Sequence, residues 1–224
     1  MSDSCLICFF SWGRKDMVKR SFSSLLQAMR PQDKLLVFDQ KGHNIKYYYY
    51  MLENIDYLIT TRLNYEIGPA WMLFQDMARW ILRTALLYPK DKEDRVKRTN
   101  ELFRGWKPDY ICIVESDCIG REGWIDRVLK IFESKEPIGI ASGYDAPEWP
   151  AIRMDGDIKI KEINPGVNMV FKTDYFLNLF DTLWYKGQDR RVSELNKAQG
   201  KVIGVINEIL HIGEGTGRIG GFRK

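Results

Sequence analysis

The sequence predicts an α/β domain built on a mostly parallel sheet with helices on both faces. Two observations carry this. Short apolar runs recur at residues 5–10, 35–38 and 110–114, and segments of helical periodicity lie between such runs. A third observation places function on that fold. Polar groups stand where apolar strands run out: Ser11 to Arg14, Asp39, and Glu115 to Asp117. In open α/β sheets, ligands bind at the carboxyl ends of the strands.

The elements follow in order. Cys5 to Phe10 reads as a buried strand that ends at Ser11-Trp-Gly-Arg14. A helix from about Asp16 to Met29 has Val18, Phe22, Leu25, Leu26 and Met29 near helical spacing, with Pro31 just beyond it. Lys34 to Asp39 is a second strand, and Gly42-His43-Asn44 is a turn. Tyr47 to Tyr50 is a tyrosine run, read as an amphipathic helix with one or two rings in the core, with a stacking platform as the alternative. Ile55 to Thr61 is a short third strand. Gly68-Pro69 opens a long helix whose Leu73, Phe74, Met77, Ile81, Leu82 and Ala85 share one face.

Residues 89–108 form a polar, charged surface insertion. Tyr110 to Glu115 is the clearest strand. Gly120 and Gly123 turn the chain into a helix from about Trp124 to Glu133. Ile138 to Ser142 is a strand, 145–163 a loop or hairpin, and Val167 to Phe171 a strand. Helices are expected at Tyr175–Leu183 and Arg190–Gln199, then a strand at Val202–Ile206. A flexible, glycine-rich and basic segment runs from His211 to the end.

Composition narrows the function classes. The chain has 224 residues, enough for one domain with a sizeable core. Its 34 basic and 30 acidic residues give a net charge of only +4, too even to mark a nucleic-acid binder. The densest charge run, Lys90 to Arg98, mixes both signs and reads as a solvated surface. No stretch approaches a membrane span and no signal peptide opens the chain. Cys5 and Cys8 have C-x-x-C spacing. In a strand, residues three apart point to opposite faces, so this pair reads as buried free thiols. A reducing cytoplasm is the expected setting.

The chemistry centres on Glu115-Ser116-Asp117. Two carboxylates this close repel each other unless a cation sits near them. Mg²⁺ and Mn²⁺ favour one or two carboxylates completed by phosphate oxygens and water. His211 follows a strand and precedes a glycine-rich hinge, which makes it a candidate additional ligand, whereas His43 reads as exposed. Asp189, near a helix start, is either an N-cap or a general base. Trp12, Trp149 and Trp184 are the aromatics considered for stacking. Trp184 reads as packing, and Trp149, between Glu148 and Pro150, is the acceptor-side candidate.

Several ordered segments resemble the nucleotide-diphospho-sugar glycosyltransferases of the GT-A fold, and are most similar to the inverting family-two type. Ile7-Cys-Phe-Phe-Ser-Trp-Gly-Arg14 is similar to the opening strand and nucleotide-contacting loop. Leu35-Leu-Val-Phe-Asp39 resembles the second strand, whose terminal Asp reads the base. Arg62-Leu-Asn-Tyr-Glu-Ile-Gly-Pro-Ala70 is similar to the N-x-G-x-x-x-A-R stretch. Glu115-Ser-Asp117 falls where that family carries D-x-D. Gly187-Gln-Asp-Arg-Arg191 resembles the later G-E-D segment, and Leu210-His-Ile-Gly-Glu-Gly-Thr-Gly-Arg218 the closing segment. Two positions depart from the pattern: Glu115 stands for the usual first Asp, and Gln188 for the usual acidic residue before the base.

The resemblance implies a single GT-A-like domain with a small antiparallel acceptor-side portion. Residues 1–118 would form the nucleotide-sugar half, 119–210 the acceptor and catalytic half, and 211–224 the closing segment. It implies an inverting transfer from a UDP-sugar or similar donor, with Mn²⁺ or Mg²⁺ as cofactor. Asp117 and His211 would bind the metal and Glu115 would support them. Ser11, Trp12, Arg14, Asp39, Arg62, Asn64, Gly68, Ser116 and Arg218 would line the donor site, with Arg14 or Arg218 on the leaving diphosphate. Asp189 would be the catalytic base. The acceptor stays open among saccharide, protein, lipid-linked sugar and modified nucleobase. A sugar-1-phosphate nucleotidyltransferase is the main alternative, although Ser11-Trp-Gly-Arg-Lys15 is a poor version of the Gly-rich loop it would need. A non-catalytic nucleotide-sugar-binding module is the other.

Overall fold

The computed structural model describes residues 3–11, 15–40, 44–49, 51–60, 107–164, 166–179 and 188–212. Eleven strands are present among them: β1 (Cys5–Ser11), β2 (Lys34–Asp39), β3 (Tyr57–Thr60), β4 (Tyr110–Glu115), β5 (Cys118–Gly120), β6 (Ile138–Ser142), β7 (Arg153–Asp155), β8 (Ile158–Lys161), β9 (Asn168–Lys172), β10 (Val202–Val205) and β11 (Ile209–His211). The helices are α1 (Lys15–Ala28), α2 (Ile45–Tyr49), α3 (Trp124–Leu129), α4 (Thr173–Leu179) and α5 (Gln188–Ala198).

Nine strands form one sheet in the order β3-β2-β1-β4-β9-β6-β10-β8-β7. The pairs β3/β2, β2/β1, β1/β4 and β6/β10 are parallel. β9 runs antiparallel to both β4 and β6, and the β7–β8 hairpin adds an antiparallel margin beyond β10. Only β9 and β8 therefore run against the common direction. The expected mostly parallel sheet with a small antiparallel portion is present, and the segment read as a loop or hairpin closes as a hairpin at Gly156, where φ is +58°.

β1 is apolar from Cys5 to Phe10 because both of its faces are covered. Cys5, Ile7 and Phe9 enter one core cluster, with Val18, Phe22 and Leu25 of α1, Tyr48 of α2, and Trp124 and Val128 of α3. Leu6, Cys8 and Phe10 enter the other, with Phe176 and Leu179 of α4 and Val192 of α5. Helices thus cover both faces. Cys5 and Cys8 lie in opposite clusters, and all four cysteines are free and buried. In the tyrosine run, Tyr48 is fully buried and Tyr47 packs partly against the core, as an amphipathic helix requires.

Several boundaries shift. The helix expected over Trp124–Glu133 is α3 followed by a 3₁₀ turn over Lys130–Glu133. α4 begins at Thr173, two residues earlier than expected. The strand read from Ile55 begins at Tyr57. The helix expected after Gly68 and nearly all of the 89–108 insertion lie outside the described residues, as do Leu183 and Trp184.

β5 and β11 make a separate two-stranded antiparallel ribbon, with Ile209 opposite Gly120, Leu210 opposite Ile119 and His211 opposite Cys118. α1 holds β5 from one side. Ser21 Oγ donates to the Cys118 carbonyl, and Gly120 N donates to Ser24 Oγ at 3.3 Å. The Gly143 carbonyl, just past β6, accepts from both Glu208 N and Ile209 N at 2.8 Å.

Candidate functional site

The strand order locates the site. From β1 the chain steps outward to β2 and β3, then returns to place β4 on the other side of β1. This reversal is the topological switch point at which open α/β sheets bind ligands. Phe10 of β1 is in register with Glu115 of β4, so Ser11 and the Glu115–Asp117 turn share the same edge of the sheet.

At that edge, Asp117 and His211 meet. His211 Nε2 lies 2.9 Å from Asp117 Oδ2, and each side chain is about one-fifth exposed. The residues are 94 positions apart, and the β5/β11 ribbon closes that gap. Ile212 N donates to the Asp117 carbonyl at 2.7 Å and extends the pairing past His211. The separation is a hydrogen-bond distance. It is also what two neighbouring ligands of an octahedral cation present, since metal–ligand bonds of about 2.1 Å at right angles put donors about 3 Å apart. The carboxylate oxygen suits Mn²⁺ or Mg²⁺, which complete their shells with phosphate oxygens and water, whereas the imidazole nitrogen is a donor that hard Mg²⁺ favours less. The pair thus offers two of the donors such a cation would need.

Glu115 is not gathered with them. Among the described residues, no group of three His, Cys, Asp or Glu side chains stands close enough to hold a metal. Glu115 is the half-buried last residue of β4, its amide donating to the Val167 carbonyl at 3.1 Å. Ser116 is buried in the turn. Cys118 is next to Asp117, but burial, together with the Asp117 and Glu115 charges, pushes its thiol well above the usual range. Its Sγ donates to the Val167 carbonyl at 3.2 Å, so it stands as a protonated thiol.

On the far side of β1, Asp39 ends β2 in register with Ser11, and both are fully buried. Ser11 Oγ donates to Asp39 Oδ1 at 3.3 Å, and Asn44 N shares its hydrogen between the two carboxylate oxygens at 3.4 and 3.3 Å. Asn44 Nδ2 donates to Ser11 Oγ at 3.3 Å. Asp39 thereby ties the ends of β1 and β2 to the start of α2.

Asp189 is the second residue of α5, one turn before Ser193, which is buried. Trp149 packs partly buried against the first core cluster, and its amide donates to the Ala146 carbonyl at 3.3 Å. Buried Lys161 pairs with Asp145 at 2.6 Å, and Lys159 bonds the other Asp145 oxygen. Trp12, Arg14, Arg62, Asn64, Gly68 and Arg218 lie outside the described residues.

Sequence reasoning passed over Tyr144. It is buried two residues past β6, its ring edge-on to His211 with centroids 5.6 Å apart. The only signal for it was its place just beyond the end of a strand that runs in the same direction as β4.

No family model and no curated protein matches this chain. Solved structures do. Residues 1–349 of TarS from S. aureus superpose with a TM-score of 0.50 at 10% identity, over 91% of this chain and 58% of that one. The longer TarS structure gives 0.51 at 8% identity, over 91% and 35%. Mouse xyloside xylosyltransferase 1 in its apo form gives 0.48 at 8% identity, over 91% and 84%. The chain spans 58% of the first TarS structure and about a third of the second. Identities this low are likenesses of fold, and the fold is a GT-A-like α/β fold.

Proposed function

We propose that this protein is a metal-dependent glycosyltransferase that moves a sugar from a nucleoside-diphosphate donor, a UDP-sugar, to an acceptor hydroxyl with inversion. The observation that carries the reading is the 2.9 Å approach of Asp117 and His211 at the switch point of a GT-A-like sheet. It is supported by the order of motifs along the chain and by the fold shared with TarS.

Asp117 and His211 would hold Mn²⁺ or Mg²⁺, with Glu115 and Ser116 shaping the turn beside them. The cation, when bound, supplies positive charge against the diphosphate oxygens. Ser11 and Asp39 would line the base end of the donor, a role the motif resemblance also suggests for Trp12, Asn64 and Gly68. Arg14 or Arg218 would neutralise the leaving diphosphate, and Arg62 would contribute to donor binding. Asp189 would take the acceptor proton as the hydroxyl attacks the anomeric carbon in one displacement. Trp149 would face the acceptor, whose class stays open among saccharide, protein, lipid-linked sugar and modified nucleobase. Free buried thiols fit a reducing, cytoplasmic setting.

Calorimetric titration with UDP tests the donor site. Wild type should bind UDP in Mn²⁺ and lose at least about tenfold in affinity when EDTA replaces the metal, each tenfold being about 1.4 kcal/mol. Asp117→Ala should bind as weakly with Mn²⁺ as wild type does without it. Equal, metal-insensitive UDP binding by both proteins would remove the assignment.

A further inference from the structure

His211 is held from two directions. Its Nε2 meets Asp117, and its ring packs against the edge-on ring of Tyr144 with an interplanar angle of 65°. The ribbon fixes the His211 backbone but leaves its two side-chain torsions free. One polar contact restrains one ring atom, and a second contact is needed to set the plane.

Tyr144 is itself held with unusual care. Its amide donates to Ser142 Oγ at 3.1 Å, and its carbonyl accepts from Asn164 Nδ2 at 3.0 Å. Ser142 Oγ also accepts from Asn164 Nδ2 at 3.1 Å and donates to the Asn168 carbonyl at 2.7 Å. Asn168 closes the frame: its Oδ1 accepts from Gly143 N at 2.9 Å and its Nδ2 donates to the Ile113 carbonyl at 3.1 Å. Ser142, Asn164 and Asn168 are all fully buried. A buried polar network of this kind holds one geometry when nearly every group is paired; here Asn164 Oδ1 is buried without a partner, and the other side-chain polar atoms of Ser142, Asn164 and Asn168 are all bonded. It links β4, β6 and β9 at the backbone of the residue that faces His211. The same Asn164 meets α5, exchanging backbone bonds with Ser193 Oγ at 3.4 and 3.3 Å.

We infer that Tyr144 is a positioning residue for the His211 imidazole, and that Asn164 holds Tyr144 in place for that purpose. The inference rests on the proposed role of His211 for its functional meaning, but its geometric content stands apart from any metal. A ring free to turn would present Nε2 to a cation only part of the time. A ring clamped between Asp117 and Tyr144 presents it always, which raises affinity without adding a ligand.

The test uses the whole chain with ¹³C-labelled histidine, which gives two ring signals, from His43 and His211; His43→Gln assigns them. In metal-free protein, the His211 ring of wild type and Tyr144→Phe should show one rigid orientation. Tyr144→Leu and Asn164→Ala, each checked for folding by circular dichroism, should show a mobile ring. In Mn²⁺ with UDP, Tyr144→Leu should bind the metal about tenfold more weakly, and Tyr144→Phe within about twofold of wild type, a difference of about 0.4 kcal/mol. A folded Tyr144→Leu whose His211 ring stays as rigid as in wild type overturns the inference. If the ring loosens as expected but wild type binds no Mn²⁺, the positioning stands and the metal-site reading falls.

Discussion

Asp145 shows how single charges are arranged beside the site. Burial acts to raise its pKa, but the hydrogen bonds and charges of Lys159 and Lys161 outweigh this and hold the carboxyl below its usual range. Lys161 is almost wholly buried, so removing its partner leaves a charge without compensation. Asp145→Asn should therefore destabilise the protein by on the order of 3 kcal/mol at neutral pH. Because the folded pKa is depressed, the stabilisation is complete above the unfolded value of about 3.9 and is lost as pH falls through the folded value. Chemical denaturation should show a constant gap between wild type and variant from pH 7 to about 4, closing below that. A gap unchanged at pH 2.5 would show that the ion pair is not its source. Single residues were legible in the sequence where they stood at strand ends. Asp117 and His211 could each be named, and the family resemblance implied that they share a metal, but neither neighbourhood by itself encodes a partner 94 positions away. Tyr144 was illegible, since a tyrosine after a strand carries no periodic signal.

The β5/β11 ribbon is the element on which the account depends, and it is the one the sequence concealed. Each strand has three residues, too few to show alternation, and Gly120 reads more naturally as a turn. By contrast, β1, β2 and β4 were plain because burial on both faces demands unbroken apolar runs. Gly120 has its own reason in the structure. A Cβ there would stand 2.2 Å from Trp124 Cδ1, and the Trp124 side chain is fully buried under β5. Gly120→Ala should lower stability by about 1–3 kcal/mol through overpacking, read as a fall in Tm. It should also weaken Mn²⁺-dependent UDP binding, because the ribbon that brings His211 to Asp117 must shift. Wild-type melting together with wild-type binding would show that the ribbon tolerates the displacement.

At the scale of the molecule, the alternation of strands and helices was enough to foresee an α/β domain, and the sheet order supplied what alternation cannot. Insertion of β9 between β4 and β6 is a long-range pairing with no local cue. Its consequence is that the carboxyl ends of β1, β4 and β6 lie along one edge, where Ser11, Asp117 and Tyr144 all stand. No helix among the described residues is long and apolar enough to cross a membrane. Metal-dependent glycosyl transfer at this edge, as proposed, is tested most directly by turnover. The measurement is release of nucleoside diphosphate from UDP-sugars in Mn²⁺, for wild type, Asp117→Ala, His211→Ala and Asp189→Asn. Wild type should release it, with release abolished by EDTA and reduced at least about 100-fold in Asp117→Ala, and His211→Ala should lie between them. With acceptor present, Asp189→Asn should lose transfer while retaining Mn²⁺-dependent UDP binding. Release at the wild-type rate by Asp117→Ala would contradict the proposed function, as would pyrophosphate release from UTP and a sugar-1-phosphate by a wild type that releases no UDP from UDP-sugars.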